Sequence, residues 1–171
     1  MDLKAVVYTS NTGETEKYAK AFAAKENLPC MELKEAEECL EKHASLIYFG
    51  WIFADTIQGY DKTATLFDIP CVCGVGMSAP GSKDEAVAKA SNITDGVKLF
   101  TFQGGLHMNQ LSFMHKMILS VVRKSTVKKL QEKQRTPQEE SDLALWKDGG
   151  SRFDPSALDE ISSWCHQNGL L

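Results

Sequence analysis

The stretch Val6-Val7-Tyr8-Thr9-Ser10-Asn11-Thr12-Gly13-Glu14-Thr15 reads as a short apolar strand running directly into a turn of hydroxyls and glycine, and then into a helix. Residues 14–26 carry helical spacing, with Tyr18, Ala19, Phe22 and Ala23 on one side. A strand, tight turn and helix in this order make a trap for phosphate. Successive backbone N–H groups converge on the anion, and the helix N-terminus adds partial positive charge. Ser10, Thr12 and Thr15 add hydroxyl donors and Asn11 an amide, while Gly13 lets the backbone come close. The turn holds no Lys or Arg. That suits a phosphate held by fixed dipoles and suits phosphoryl transfer poorly. Neither G-x-x-x-x-G-K-[ST] nor G-x-G-x-x-G is present.

Outward from this turn, apolar runs alternate with helical patterns. Ala5–Tyr8 is a buried strand, Cys30–Leu33 a short half-polar one, and residues 35–43 a charged helix. Leu46–Phe49 is a second buried strand, expected to end at Gly50, followed by a loop and a short helical segment through Phe67. Pro70 opens a third buried strand, Cys71–Val75. Ser82–Ala90 reads as a helix with Ser82 as N-cap. Val97–Phe102 is a further strand, broken by Gly104-Gly105, and a last helix runs from Pro155 to about Gln167. Five strands with intervening helices imply a parallel sheet covered on both faces. Residues 104–150 form an insertion before the last helix. Its first half is helical, with Leu111, Met114, Met117, Ile118, Val121 and Val122 in one stripe. By default such a stripe packs on the domain and its charges face water. Residues 136–150 read as a loop with one helical turn at most.

With 171 residues, 43% apolar and 25% charged, the chain suits one ordinary globular domain over 1–171. A net charge of -4 argues against nucleic acid as a general partner. Residues 1–10 enter a strand directly rather than through a leader pattern, and no apolar run is long enough to cross a bilayer, so a cytoplasmic setting is expected. The five cysteines match no zinc spacing; no metal site is expected. Cys71 and Cys73 share one strand face and read as core packing rather than redox or metal chemistry. Lys116, Arg123, Lys124, Lys128, Lys129, Lys133 and Arg135, opposed by Glu132, make residues 110–135 a basic patch in an acidic protein. Such a patch favours anionic partners: lipid headgroups at a membrane surface, propionate-bearing tetrapyrroles or an acidic redox protein.

The segment from Val6 to Thr15 resembles the flavodoxin signature, [ST]-x-T-G-x-T after the first strand. The resemblance implies a flavodoxin-like three-layer αβα sandwich with a five-stranded parallel sheet in the order 2-1-3-4-5, in which the weak second strand takes an edge. It implies that Ser10, Asn11, Thr12, Gly13, Glu14 and Thr15 hold the phosphate of FMN. Two further loops would then grip the ring. The first carries Trp51, Ile52 and Phe53, with Trp51 either stacked on the flavin or packed on the adjacent helix, and Asp55 either a ligand or a solvated acid. The second carries Gly74, Val75, Gly76 and Met77, whose backbone would meet the pyrimidine end of the ring. This second loop has no aromatic, so one ring face is left to a substrate or to cover by residues 103–108, including Gln103 and Gly104.

The insertion is similar to a second group. Phe102-Gln103-Gly104-Gly105-Leu106, then Leu111–Ile118, then Phe153-Asp154 resemble the flavodoxin-like, menaquinone-dependent protoporphyrinogen oxidases. That resemblance implies an oxidoreductase acting on a hydrophobic or tetrapyrrole-type partner. The chain is longer than that pattern after residue 124. His107 and His115 lie near the presumed flavin edge, as proton relays or as polar surface groups. Two functional classes follow. One is an FMN oxidoreductase or electron carrier with a redox protein or small molecule as partner. The other is a binding or regulatory module that keeps the fold without the flavin.

Overall fold

The computed structural model describes residues 2–171. In chain order the elements are β1 (Ala5–Tyr8), α1 (Glu14–Glu26), β2 (Cys30–Glu32), α2 (Leu33–Cys39), β3 (Ser45–Phe53), β4 (Thr56–Ile57), α3 (Tyr60–Leu66), β5 (Asp68–Gly76), α4 (Asp84–Ala90), β6 (Lys98–Gln103), β7 (Gly105–Leu106), α5 (Phe113–Gln131), α6 (Pro137–Asp148), β8 (Gly150–Ser151) and α7 (Leu158–Gln167). Five strands pair in parallel in the order β2-β1-β3-β5-β6, which is the expected 2-1-3-4-5 once the short β4 is set aside. Counting β4, which pairs antiparallel with the end of β3, the sheet has six strands.

Strand alternation sends side chains to two cores. Val6, Tyr8, Ile47, Phe49, Cys71, Cys73, Phe100 and Phe102 meet the apolar faces of α1 and α7. Ala5, Val7, Leu46, Tyr48 and Val72 meet α2, α3 and α4 through Leu33, Ala36, Tyr60 and Val87 on the opposite face. The result is a flavodoxin-like three-layer sandwich. Cys71 and Cys73 are both fully buried on the α1/α7 side, and burial pushes the Cys73 thiol well above its ordinary pKa. They are packing groups, as their period-2 spacing predicts.

Three local expectations give way. Gly50 does not end its strand; β3 continues to Phe53 and turns back as β4. A side chain at Gly50 would collide with Ile57 and come within 2.9 Å of the Gln58 carbonyl, so this glycine is needed for the close return of the hairpin. Residues 136–150 are not a loop. They hold the 12-residue helix α6, opened by a capping box between Thr136 and Glu139 with Pro137 in the first turn, and its Leu143 and Leu145 are buried. Ser82 does not cap α4: its N–H and hydroxyl both donate to the Ala79 carbonyl in a turn, and the helix begins at Asp84.

Candidate functional site

The link from β1 to α1 forms the base of the site. Thr9 is tied to the neighbouring strand by its N–H to the Phe49 carbonyl (3.0 Å) and by its hydroxyl, 2.8 Å from the Tyr48 hydroxyl and 2.9 Å from the Gln58 carbonyl. Beyond Thr9 the chain turns outward. The Gly13 N–H donates to Ser10 Oγ (3.0 Å), which folds the turn on itself. Gly13 is the N-cap of α1 at φ +86°, and no side chain caps this helix. A Cβ at Gly13 would meet nothing within 4 Å, so the left-handed backbone, rather than crowding, is what favours glycine. The first-turn amides of α1 are therefore presented at an uncapped helix end, with its partial positive charge.

This end opens into a solvent-open cleft at the C-terminal edges of β1, β3 and β5, with about 90 Å³ of enclosed space. That is the position where parallel α/β sheets of this order bind ligands. Asn11, Thr12, Glu14 and Thr15 form one wall; Trp51, Ile52 and Phe53 form a second; Val75, Gly76, Met77 and Gly104 form a third. Ser10 and Gly13 shape the turn behind the first wall. Gly74 lies deeper, where a Cβ would sit 2.8 Å from Ile52 Cδ1; it serves the packing of the second wall. Gln103 also stands behind the lining, its amide donating to the Met77 carbonyl (3.0 Å) and to Asp142 Oδ1 (3.2 Å), so it fixes the third wall to α6. Asp55 forms an exposed ion pair with Lys83 (3.1 Å).

Glu14 divides its roles between backbone and side chain. Its N–H belongs to the first turn of α1. Its carboxylate, on a residue only 4% exposed, turns inward and accepts from Lys17 Nζ (2.8 Å), His107 Nε2 (2.7 Å) and Ser151 Oγ (2.8 Å). Burial works to raise its pKa, but these hydrogen bonds outweigh burial and hold the carboxyl below the usual glutamate value. With Glu14 ionised, the His107 proton is assigned to Nε2. Glu14 thereby ties the helix end to both sides of the small β7–β8 ribbon. Tyr18 closes the same neck: its hydroxyl donates to the Gln103 carbonyl (2.8 Å) and accepts from the Asp154 N–H (3.0 Å), joining the start of the insertion to its return.

Five further residues line the cleft: Gly105, Leu106 and His107 lie within the expected cover by residues 103–108, whereas Leu111 and Leu119 lie outside it. They come from the insertion, which covers the cleft. His115 stands edge-on to Trp51 (5.4 Å between centroids) and Phe53 (5.0 Å). Leu119 follows His115 by one helical turn, on the face of α5 opposite the stripe visible in the sequence. Cover by residues 103–108 was the signal for this side of the site; Leu119 carried none, because the more prominent apolar stripe drew attention to the other face. Most of that stripe is not packed on the domain. Met114, Met117, Ile118, Val121 and Val122 are exposed, contrary to the default expectation, as is Phe113 beside them, while Leu111 of the same stripe lines the cleft. The inward face of α5 is instead held by α6, where Arg123 Nε donates to the Trp146 carbonyl (2.6 Å) and Nη2 to that of Lys147.

Among the described residues no cluster of three or more His, Cys, Asp or Glu side chains could hold a metal ion, and no helix is long and apolar enough to cross a membrane. No family model matches the chain, and no curated protein matches it. Among solved structures it is similar to the Trp repressor binding protein from Bacillus subtilis, at 14% identity over 88% of this chain and 99% of that one, with a TM-score of 0.37. At that level the likeness carries no inference about function.

Proposed function

We propose that the chain binds FMN, phosphate first, and acts as an FMN-dependent oxidoreductase or electron carrier. The observation that carries this reading is the uncapped N-terminus of α1, with Gly13 in the left-handed region, opening into an aromatic-walled cleft at the switch point of the sheet. The donor set matches the group in kind. The amides of Asn11, Thr12, Glu14 and Thr15 and the hydroxyls of Ser10, Thr12 and Thr15 are neutral donors, as a permanently held monoester dianion needs at a helix N-terminus, and Gly13, its N–H held by Ser10 Oγ, sets the turn. Trp51, Ile52 and Phe53 supply apolar surface for a flat ring, and the backbone at Gly76 and Met77 supplies polar groups for its edge. FMN, when bound, supplies the one- and two-electron chemistry; the chain supplies binding, orientation and exclusion of water. Two histidines face the cleft: His107, held by the Glu14 carboxylate at the end of α1, and His115, edge-on to the aromatic wall. On the resemblance of the insertion to the protoporphyrinogen oxidase group, the partner would be hydrophobic or tetrapyrrole-like, reached beneath α5.

A second reading, a binding module without flavin, is favoured by one observation. The His115 ring already contacts both Trp51 and Phe53, so a ring stacked on that wall requires the His115 side chain to move aside. The absorption spectrum separates the two. Protein purified and incubated with FMN, then freed of excess, should absorb at about 450 nm. Colourless protein after that treatment would favour the flavin-free module.

A further inference from the structure

We propose that α5 docks the protein on an anionic lipid surface, lying in the plane of the interface with its outward face against the headgroups. The 19-residue helix has two faces of different fate. One, with His115, Leu119, Arg123, Val127 and Leu130, faces the cleft and α6. On the other, Phe113 (83% exposed), Met114 (65%), Met117 (57%) and Val121 (67%), flanked by Ile118 and Val122, form a continuous apolar strip. Such a strip amounts to several hundred square ångströms, at the upper end for a surface that stays in water. It cannot turn inward, because Arg123 fixes the helix to the C-terminal carbonyls of α6 from the opposite side.

Charge selects the occupant. The helix carries Lys116, Arg123, Lys124, Lys128 and Lys129 and no acidic residue, in a chain of net charge -4. Lys124, Lys128 and Lys129 project on the outward side, one to two turns beyond the apolar strip, and all are exposed. Phe, Met, Ile and Val entering the acyl boundary, with lysines reaching headgroup phosphates, is the pattern of an in-plane amphipathic helix. A second copy pairing through this face would bury the strip but offer the lysines no acidic partner, since α5 carries none. The proposal does not depend on the cleft holding a flavin.

The test is flotation of the full chain with vesicles of phosphatidylcholine alone and of phosphatidylcholine mixed with phosphatidylglycerol, at low and high salt. Binding is expected on the mixed vesicles at low salt, and should weaken as salt screens the lysines. Lys124→Gln with Lys128→Gln should lower partitioning by roughly tenfold or more, and Phe113→Ser with Met117→Ser should abolish it. All four positions are exposed, so unchanged circular dichroism and melting temperature confirm that each variant is folded. Wild-type protein that stays off the mixed vesicles at low salt would overturn the proposal. So would equal binding to both vesicle types, a concentration-dependent dimer broken by Phe113→Ser, or crosslinking from position 113 to an acidic protein in place of lipid. Flotation is read equally on FMN-loaded and flavin-free protein, so its outcome is separate from that of the cofactor.

Discussion

Glu14 shows how one residue can serve both a site and the frame around it. Its N–H opens α1 beside the proposed phosphate position, while its buried carboxylate holds Lys17, His107 and Ser151. The sequence placed Glu14 in the phosphate turn, and nothing in a ten-residue pattern discloses that its side chain points to residues 107 and 151, because those contacts are made by chain returning from a long insertion. Glu14→Gln keeps the shape and removes the charge. It should lower stability at pH 7 by about 1–3 kcal/mol, read by chemical denaturation. The pH dependence has a definite sign. The carboxyl titrates lower in the folded protein than in the unfolded chain, so its stabilisation is complete above the ordinary glutamate pKa and disappears as pH falls through the lower folded value. The gap between wild type and Glu14→Gln should therefore close in acid. A gap that stays constant with pH would show that the carboxylate is not the source of the difference.

At the scale of elements, legibility followed the strength of the local signal. Long buried strands and the period of α1 declared themselves through apolar spacing, and the switch from strand to helix at residues 8–14 marked the turn between them. The β3–β4 hairpin was hidden because its two-residue turn is Ala54-Asp55 rather than Asn-Gly. Both residues take positive φ, +50° and +60°, as hairpin turns of the primed types require. An alanine in that region is strained, so Ala54→Gly should raise stability by about 0.5–1 kcal/mol, measurable as a shift in the denaturation midpoint. Helix α6 was missed for a different reason. Its apolar content is too modest to show a clean stripe, and the informative feature was the start signal Thr136-Pro137-Gln138-Glu139, which is a capping box. Thr136→Ala should cost about 1 kcal/mol and leave the first-turn amides of α6 unprotected in hydrogen exchange. Unchanged protection there would mean that packing of Leu143 and Leu145, not the cap, holds the helix in place.

For the whole molecule, the order of the parallel strands decides where a ligand can sit, and the insertion decides how that place is covered. The first was legible through the resemblance of residues 6–15, which implies the order, and the weak second strand suits the edge that order gives it. Asn11, Thr12, Glu14 and Thr15 line the cleft from the turn after β1, and Val75, Gly76, Met77 and Gly104 from the ends of β5 and β6, where the sequence expects loops; Trp51, Ile52 and Phe53 line it from β3 itself, which runs past its expected end at Gly50. Cover by residues 103–108 was expected, but the part supplied by α5 was not accessible, because both faces of that helix carry apolar residues and spacing alone does not say which one turns toward Trp51. In the proposed function the uncapped end of α1 is the seat of a phosphate. Its most direct test is a comparison of FMN with riboflavin, which share the ring and differ in that one group, by titration of flavin fluorescence or by calorimetry. The charge-assisted hydrogen bonds to the monoester predict that FMN binds at least about 100-fold more tightly, about 2.7 kcal/mol. Equal affinity for the two flavins, or uptake of neither, would contradict it.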